Sequence, residues 1–137
     1  MESVQADDEY LFAEGPVFIN MARLSVEKDH AKLIRAFSRI KDSCPSARLL
    51  ILGTGPLDAA LRELVKQTGL TDRVHLLGLR SNPYAYLRRS NCFVLSSNHE
   101  ARCMSLMEAL IVGIPCVAIF SARNAPGQWD PLGRQKL

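Results

Sequence analysis

The sequence lacks any long apolar run, and this absence excludes a helix that crosses a membrane. No stretch of the 137 residues approaches the ~20 consecutive apolar residues that such a helix needs. The N-terminus, MESVQADDEY, is acidic and polar, whereas a secretory signal starts with basic residues and continues with apolar ones. We therefore expect a cytoplasmic protein.

Paired cysteines and metal-ligand spacings are also missing. The cysteines Cys44, Cys92, Cys103 and Cys116 stand far apart without a C-x-x-C pair, and three of them lie in or beside apolar runs. This pattern favours buried free thiols in a reducing compartment over disulfides or a zinc site. The histidines show no metal-ligand spacing either, so no metal site is predicted.

A strong charge imbalance and a nucleophile elbow are absent as well. The 17 Lys and Arg against 14 Asp and Glu give a net charge of +3, which is too weak and too evenly spread to predict nucleic-acid binding. No G-x-S-x-G segment surrounds a serine, so a hydrolase triad is not expected. The composition, 47% hydrophobic and 23% charged, is typical of a globular protein with one packed core.

The sequence does contain a regular alternation of short apolar strands and amphipathic helices. Strands are predicted at residues 17–22, 47–53, 74–78, 92–97 and 116–120. Helices are predicted at residues 27–42, 57–69, 83–89 and 104–112. This order predicts an α/β fold with right-handed crossovers, namely a Rossmann-like, doubly wound parallel sheet of about five strands.

The two ends of the chain lack this periodicity. Residues 1–15 are predicted to be a leader or the remnant of a linker, with little structure. Residues 16–120 are predicted to form one domain, and residues 121–137 an irregular tail. Because a doubly wound half normally continues with at least one more helix, we expect the fold to be incomplete at its C-terminal end.

The residues that follow the first strand are candidates for an anion site, because ligands of open α/β sheets lie beyond the carboxyl ends of the strands. Arg23 and Lys28, together with backbone N–H groups of a helix start, suit a phosphate or diphosphate. Lys28 in the first turn of the predicted helix opposes the helix dipole unless an anion is nearby. The alternative is a solvated basic pair neutralised by Glu27 and Asp29.

The residues after the second strand give a weaker signal. Gly53-Thr54-Gly55 matches the start of a dinucleotide fingerprint, but Asp58 occupies the place of the third glycine. A tight turn into the following helix is a sufficient explanation of these glycines.

Glu100 and Glu108 follow the fourth strand. Their separation along a helix is about 12 Å, so the two carboxylates cannot act as a close acid/base pair and are predicted to contact separated parts of an extended ligand. Glu108 lies among apolar neighbours, where an ionised carboxylate needs a partner such as ribose hydroxyls or a place at the rim. The alternatives are an ordinary helix-surface residue for Glu108 and a loop carboxylate for Glu100.

Taken in order, these motifs are similar to those of a known family. The segments are ARLSVEKD, L-I-x-A-F, L-x-I-L-G-x-G-P-L, L-x-D-R-V-x-L-L-G and F-V-L-S-S-x-x-E-x7-E-A-L-x-x-G-x-P, within about residues 17–119. They resemble the C-terminal, nucleotide-sugar-binding domain of family 4 retaining glycosyltransferases of the GT-B fold. The resemblance implies a UDP- or GDP-type sugar as donor substrate and transfer with retention, without a bound metal or other cofactor.

The resemblance also implies roles for individual residues. Arg23 and Lys28 would neutralise the donor diphosphate, and Glu100 would face the transferred sugar, which makes these three the candidate catalytic residues. Glu108 would bond the ribose hydroxyls, and the loop after the third strand would lie near the base. The remaining candidate donor-binding residues are Gly53, Gly78, Leu79, Arg80, Ala101, Arg102, Cys103, Met104 and Ser105.

The sequence departs from the family pattern at three positions. Ala22 and Ala101 stand where the family has glycine, and Cys103 stands where it often has the proline that opens the helix. We also expect the acceptor-binding N-terminal domain to be a separate partner, through which any membrane association would be peripheral. The alternatives are a catalytically inactive fragment or interaction module of the same fold, and a generic mononucleotide-binding Rossmann protein.

Overall fold

The strands form one parallel sheet in the computed structural model, which describes residues 3–97 and 104–118, with the backbone alone at 104–106. The strands are β1 (Val17–Met21), β2 (Arg48–Leu52), β3 (Val74–Gly78), β4 (Cys92–Leu95) and β5 (Cys116–Ala118). Their order across the sheet is β3-β2-β1-β4-β5, and every neighbouring pair is parallel. The predicted Rossmann-like, doubly wound sheet of five strands is therefore confirmed.

Four helices connect the strands in the described part of the chain. They are α1 (His30–Ile40), α2 (Asp58–Gln67), α3 (Pro83–Arg89) and α4 (Met104–Val112). The strand predicted at 92–97 was too long, because β4 ends at Leu95, whereas residues 119 and 120 of the strand predicted at 116–120 lie outside the described residues. The tail predicted for residues 121–137 lies outside the described residues.

The predicted helix at 27–42 begins later than expected. Val26–Lys28 form a separate 3-10 turn, and Asp29 adopts a left-handed conformation with φ of 47°. The Asp29 carboxylate then accepts a hydrogen bond of 3.2 Å from the backbone N–H of Lys32, which caps α1. The prediction that Lys28 lies in the first turn of this helix is therefore wrong.

Two apolar cores lie on the two faces of the sheet. On one face α1 and α2 cover the side chains of Leu49 and Ile51, and on the other face α3 and α4 cover Leu50 and Leu52. Successive residues of β2 thus alternate between the two cores, and all four are buried. This explains why the strand shows no polar alternation in sequence.

The expectation of little structure in residues 1–15 is wrong for the described residues. Ala6–Phe12 form a 3-10 helix whose Leu11 is fully buried, and Val4 joins the same core as α3 and α4. Arg48 stacks over the Tyr10 ring at 5.3 Å, and Arg89 over the Phe12 ring at 4.7 Å. The segment is packed onto the domain because it carries apolar residues of its own.

Two further expectations concern thiols and the membrane. Cys92 is buried and Cys44 and Cys116 are half-buried, all three as free thiols, whereas Cys103 lies outside the described residues. Within residues 3–97 and 104–118, no helix has both the length and the apolar composition that a membrane span requires.

Candidate functional site

A cleft of about 370 Å³ opens where β1, β2 and β3 end. This is the edge of an open α/β sheet at which ligands bind. Five residues that the sequence singled out contribute to its lining, from three separate loops. They are Arg23, Gly53, Gly78, Leu79 and Arg80.

One side of the cleft, which we call the backbone wall, consists of residues 22–24 and 53–57. The N–H of Ala22 donates to the Leu52 carbonyl at 3.1 Å, and that of Leu24 to the Thr54 carbonyl at 2.9 Å. The Leu24 carbonyl in turn accepts from the N–H of Leu57 at 3.1 Å. Main-chain bonds therefore hold Ala22 and Leu24 on both sides of Arg23.

The glycines of the backbone wall are required by this close approach. A Cβ at Gly53 would overlap the Ala22 carbonyl oxygen and lie 2.9 Å from its carbon, and the φ of Gly53 is 151°. A Cβ at Gly55 would lie 2.8 Å from the carbonyl carbon of Leu24. A tight turn was a sufficient explanation from sequence alone; the structure adds contact between two loops as the stronger reason.

Arg23 and Lys28 lie on the loop that follows β1. Arg23 is exposed at the cleft, and Lys28 is half-buried at the end of the 3-10 turn. The hydroxyl of Ser96, the first residue after β4, donates to the Lys28 carbonyl at 2.8 Å. This bond ties the turn that carries Lys28 to the end of β4, four residues before Glu100 in the chain.

The charges of this loop partly support the alternative that Glu27 and Asp29 neutralise Arg23 and Lys28. The pKa of Glu27 is lowered by hydrogen bonds from its own backbone N–H and from Ser25, and further by the charges of Lys28 and Arg23. Glu27 therefore does partly neutralise the basic pair. Asp29 has a structural task in addition, because its carboxylate caps α1 and lies 3.9 Å from Lys32 Nζ.

A buried histidine, His30, follows the same loop and links it to the sheet. His30 is fully buried, and its Nε2 lies 2.8 Å from Asn20 Oδ1, while the Asn20 amide donates to the Val94 carbonyl at 2.9 Å. Burial lowers the pKa of His30 to about 4, with Asp29 opposing and Lys28 adding to the shift. The ring is thus neutral near pH 7 and joins α1 to β1 and β4.

The other side of the cleft, which we call the Arg80 wall, consists of residues 77–80. Gly78 has a φ of 70° and its carbonyl accepts from the N–H of Gly53 at 2.9 Å. Beyond it, Leu79 is 75% exposed, and the guanidinium of Arg80 turns back to the carbonyls of Leu77 and Leu79. Arg80 also forms an ion pair of 2.8 Å with Asp8.

Asp8 lies at the centre of a buried polar cluster. The Tyr86 hydroxyl donates to its carboxylate at 2.5 Å and accepts from the backbone N–H of Gln5 at 3.1 Å. Burial by itself raises the pKa of Asp8, but hydrogen bonds from Arg80 and Tyr86 and the charge of Arg80 outweigh it and hold the pKa below its usual value. Asp8 is therefore ionised near neutral pH.

Glu108 contacts α3, the helix whose first residue lines the cleft. Pro83, the first residue of α3, lines the cleft, and the hydroxyl of the next residue, Tyr84, lies 3.3 Å from Glu108 Oε1. Glu108 is half-buried rather than enclosed by its apolar neighbours. The Glu108 carboxylate thus has a hydroxyl donor and is partly exposed, and its role toward a ligand stays a prediction.

Residues 98–103, which lead to α4, lie outside the described residues. They include Glu100, Ala101, Arg102 and Cys103, whose sites remain predictions. Met104 and Ser105 form the first turn of α4, of which the backbone alone is described.

Sequence reasoning missed several residues of this region. Asp8 and Tyr86 anchor Arg80, Tyr84 contacts Glu108, and Ser96 contacts Lys28. Ser96 offered no usable signal, because the sequence placed it inside the strand predicted at 92–97, whereas the other candidates were chosen for following a strand. Asp8 offered none either, since it stands in an acidic stretch without periodicity.

Comparison with known proteins connects this arrangement to one family. The sequence model of the family described as glycosyl transferases group 1 matches residues 5–127. An uncharacterized glycosyltransferase of Methanocaldococcus jannaschii is 41% identical over 108 residues, which make up 79% of this chain and 27% of that protein. The N-acetylgalactosamine-N,N'-diacetylbacillosaminyl-diphospho-undecaprenol 4-alpha-N-acetylgalactosaminyltransferase of Campylobacter jejuni is 34% identical over 110 residues, with shares of 80% and 27%. The chain thus spans about a quarter of the length of these relatives.

Solved structures agree on the fold. TarM of S. aureus superposes with a TM-score of 0.74 at 22% identity, over 77% of this chain and 21% of TarM. HepE of Anabaena superposes with a TM-score of 0.71 at 24% identity, over 81% of this chain and 31% of HepE. The sheet described above is therefore the one found in part of these GT-B glycosyltransferases.

Proposed function

Because the chain belongs to the glycosyl transferases group 1 family, we propose that it is the C-terminal, donor-binding domain of a retaining family 4 enzyme. Its substrate would be a UDP- or GDP-type sugar. The observation that carries the proposal is the cleft at the carboxyl edge of the sheet, which is lined by five of the candidate residues from three loops.

The donor would lie across the cleft with its diphosphate at the backbone wall. Arg23 is exposed there between two anchored neighbours, and Lys28 follows on the same loop. Two cations neutralise a diphosphate and stabilise the charge that grows on it as the sugar leaves. In the free chain Glu27 interacts with the charges of both residues. The diphosphate would replace it as their partner, because the diphosphate carries more negative charge.

The nucleoside would extend from the diphosphate toward α3 and the Arg80 wall. Glu108 would accept hydrogen bonds from the ribose hydroxyls, with Tyr84 orienting its carboxylate. The base would lie near residues 78–80, and Glu100 would face the sugar. Structures of TarM and HepE have been solved in complex with UDP, which supports a nucleotide ligand of this class.

Transfer itself would require an acceptor site. Since the chain spans about a quarter of its relatives, we propose that a separate domain supplies this site. The chain would then bind the donor, while the acceptor domain completes the reaction.

The test is calorimetric titration of the chain with UDP, GDP and their sugar derivatives. Lys28→Ala and Glu108→Gln should each weaken binding by about tenfold or more, since hydrogen bonds to charged groups contribute about 1.5–3 kcal/mol. Lys66→Ala and Glu63→Gln are matched controls, because both residues are exposed on α2. Absence of binding by the wild-type chain, or unchanged binding in both site variants, would refute the proposal.

A further inference from the structure

Arg80 lines the cleft, yet its guanidinium is engaged by the protein itself. Nε and Nη2 donate to the Asp8 carboxylate at 2.8 and 3.5 Å, and Nη1 donates to the carbonyls of Leu77 and Leu79. The side chain is only 18% exposed. Little of its hydrogen-bonding capacity is left for a ligand.

The carboxylate that holds Arg80 is itself fixed. Asp8 is 6% exposed and Tyr86 is 1% exposed. Tyr86 joins the Asp8 carboxylate to the backbone N–H of Gln5. A continuous chain of hydrogen bonds thus runs from the N-terminal segment through α3 to the loop at the cleft, and buried networks of this kind make a conformation rigid.

The loop depends on this chain of bonds for its shape. Gly78 is tied to the sheet through Gly53, but an added Cβ at Gly78 would meet no atom within 4 Å. Leu79 is mostly exposed. Gly78 is therefore held by its pairing with β2, whereas packing does little to position Leu79, and the contacts of the Arg80 side chain are the main restraint on residues 79–80.

Building on the function proposed above, we infer that Arg80 is a positioning residue and not a ligand of the nucleotide. Asp8, held by Tyr86, fixes Arg80, and Arg80 fixes residues 77–80 in the shape that receives the base. The donor site thereby extends to residues 5–8, at the start of the segment that the family model matches. This differs from the role near the base that the resemblance implied for Arg80.

The first experiment is a double-mutant cycle on nucleotide affinity. Calorimetric titration with UDP and GDP would compare the wild-type chain with Asp8→Asn, Arg80→Gln and the double variant. Both single variants should weaken binding of the preferred nucleotide by about tenfold, and the double variant should be no weaker than either, because they break one shared interaction. Asp7→Asn, which removes a neighbouring exposed carboxylate, should stay within about twofold of the wild type.

Direct contact between Arg80 and the nucleotide gives a different pattern. Arg80→Gln would then weaken binding while Asp8→Asn would leave it unchanged or tighter, since the guanidinium would be released toward the ligand. That pattern, or additive losses in the double variant, overturns the inference.

A second measurement needs no ligand, and it does not require that the Asp8→Asn variant folds. Tyr86→Phe removes one hydroxyl from the hydrogen-bond chain, and hydrogen exchange of the Leu79 and Arg80 amides should become about tenfold faster. Tyr84→Phe is the control on the same helix. Equal exchange in the two variants contradicts the positioning role.

The two proposals fail separately. A wild-type chain that binds neither UDP nor GDP refutes the proposed function, and with it the role of this loop in receiving the base. A wild-type chain that binds nucleotide with the same affinity as Asp8→Asn refutes only the role of Asp8 and Arg80.

Discussion

The two walls of the cleft are built from different interactions. The backbone wall, residues 22–24 and 53–57, is held by main-chain hydrogen bonds between neighbouring loops and by glycines that permit their contact. The Arg80 wall, residues 77–80, is held by a side-chain ion pair that reaches 72 positions along the chain, to Asp8. The first wall is local to the sheet, whereas the second depends on a segment outside it.

Because of this difference, we expect the backbone wall to be the rigid side of the site and the Arg80 wall to be the adjustable side. A wall of main-chain bonds and close backbone contacts has few alternative conformations, which suits a diphosphate that needs fixed charges. A wall whose shape depends on the side-chain contacts of Arg80 changes when Arg80 or its partner Asp8 changes. Bases differ among nucleotides while diphosphates do not, so variation is better tolerated at the Arg80 wall.

The largest effect is expected from adding a methyl group to each wall. Gly53→Ala should lower the free energy of unfolding by about 4 kcal/mol, because the methyl group overlaps the Ala22 carbonyl and the backbone is strained. Gly78→Ala should cost only about 1–2 kcal/mol, since its φ of 70° is strained but the space is open. Urea denaturation measures both, and equal losses would remove the distinction between the walls.

A smaller effect on the free energy of unfolding is expected from protonation of His30, which supports the loop of the backbone wall. The folded-state pKa of His30 is about 4, below its ordinary value of 6.5, so between these values the unfolded chain binds the proton and the folded chain does not. Stability contributed by His30 is therefore lost as the pH falls, by about 2 kcal/mol from pH 7 to pH 5.

Urea denaturation at the two pH values gives this dependence, with His30→Gln as the control. Glutamine retains an N–H donor for Asn20 and does not titrate, so the contribution of His75, whose pKa burial also lowers, should remain in the variant. The same pH dependence in wild type and variant would contradict the assignment to His30.

The smallest effect is expected at the Arg80 wall, from single hydroxyl groups. Tyr86→Phe should destabilise the fold by about 1–2 kcal/mol, because the buried Asp8 carboxylate and the Gln5 N–H lose a partner. Tyr84→Phe should cost less than about 0.5 kcal/mol, since its bond to Glu108 is exposed. Thermal denaturation compares the two, and a larger loss in Tyr84→Phe would invert the expected order.

Sequence reasoning could reach the strand ends of both walls. Strand periodicity places Arg23 and Gly53 of the backbone wall and Gly78 of the Arg80 wall at strand ends, and parallel pairing brings strand ends to one edge. The break at Asp29 was missed because a left-handed capping residue and a helical one look alike in an amphipathic pattern. The Asp8 to Arg80 pair was missed because neither residue has a local pattern that reveals a partner so distant.

The central claim is that a nucleoside diphosphate binds between these two walls, and nuclear magnetic resonance of the ¹⁵N-labelled chain tests it most directly. On titration with UDP or GDP, the account predicts that the amide signals of Arg23, Thr54 and Leu79 shift together with one dissociation constant. The signals of Lys66 and Thr71, which line a separate groove beside α2, should not move. Shifts confined to that groove, or no shifts at either wall, would contradict the account.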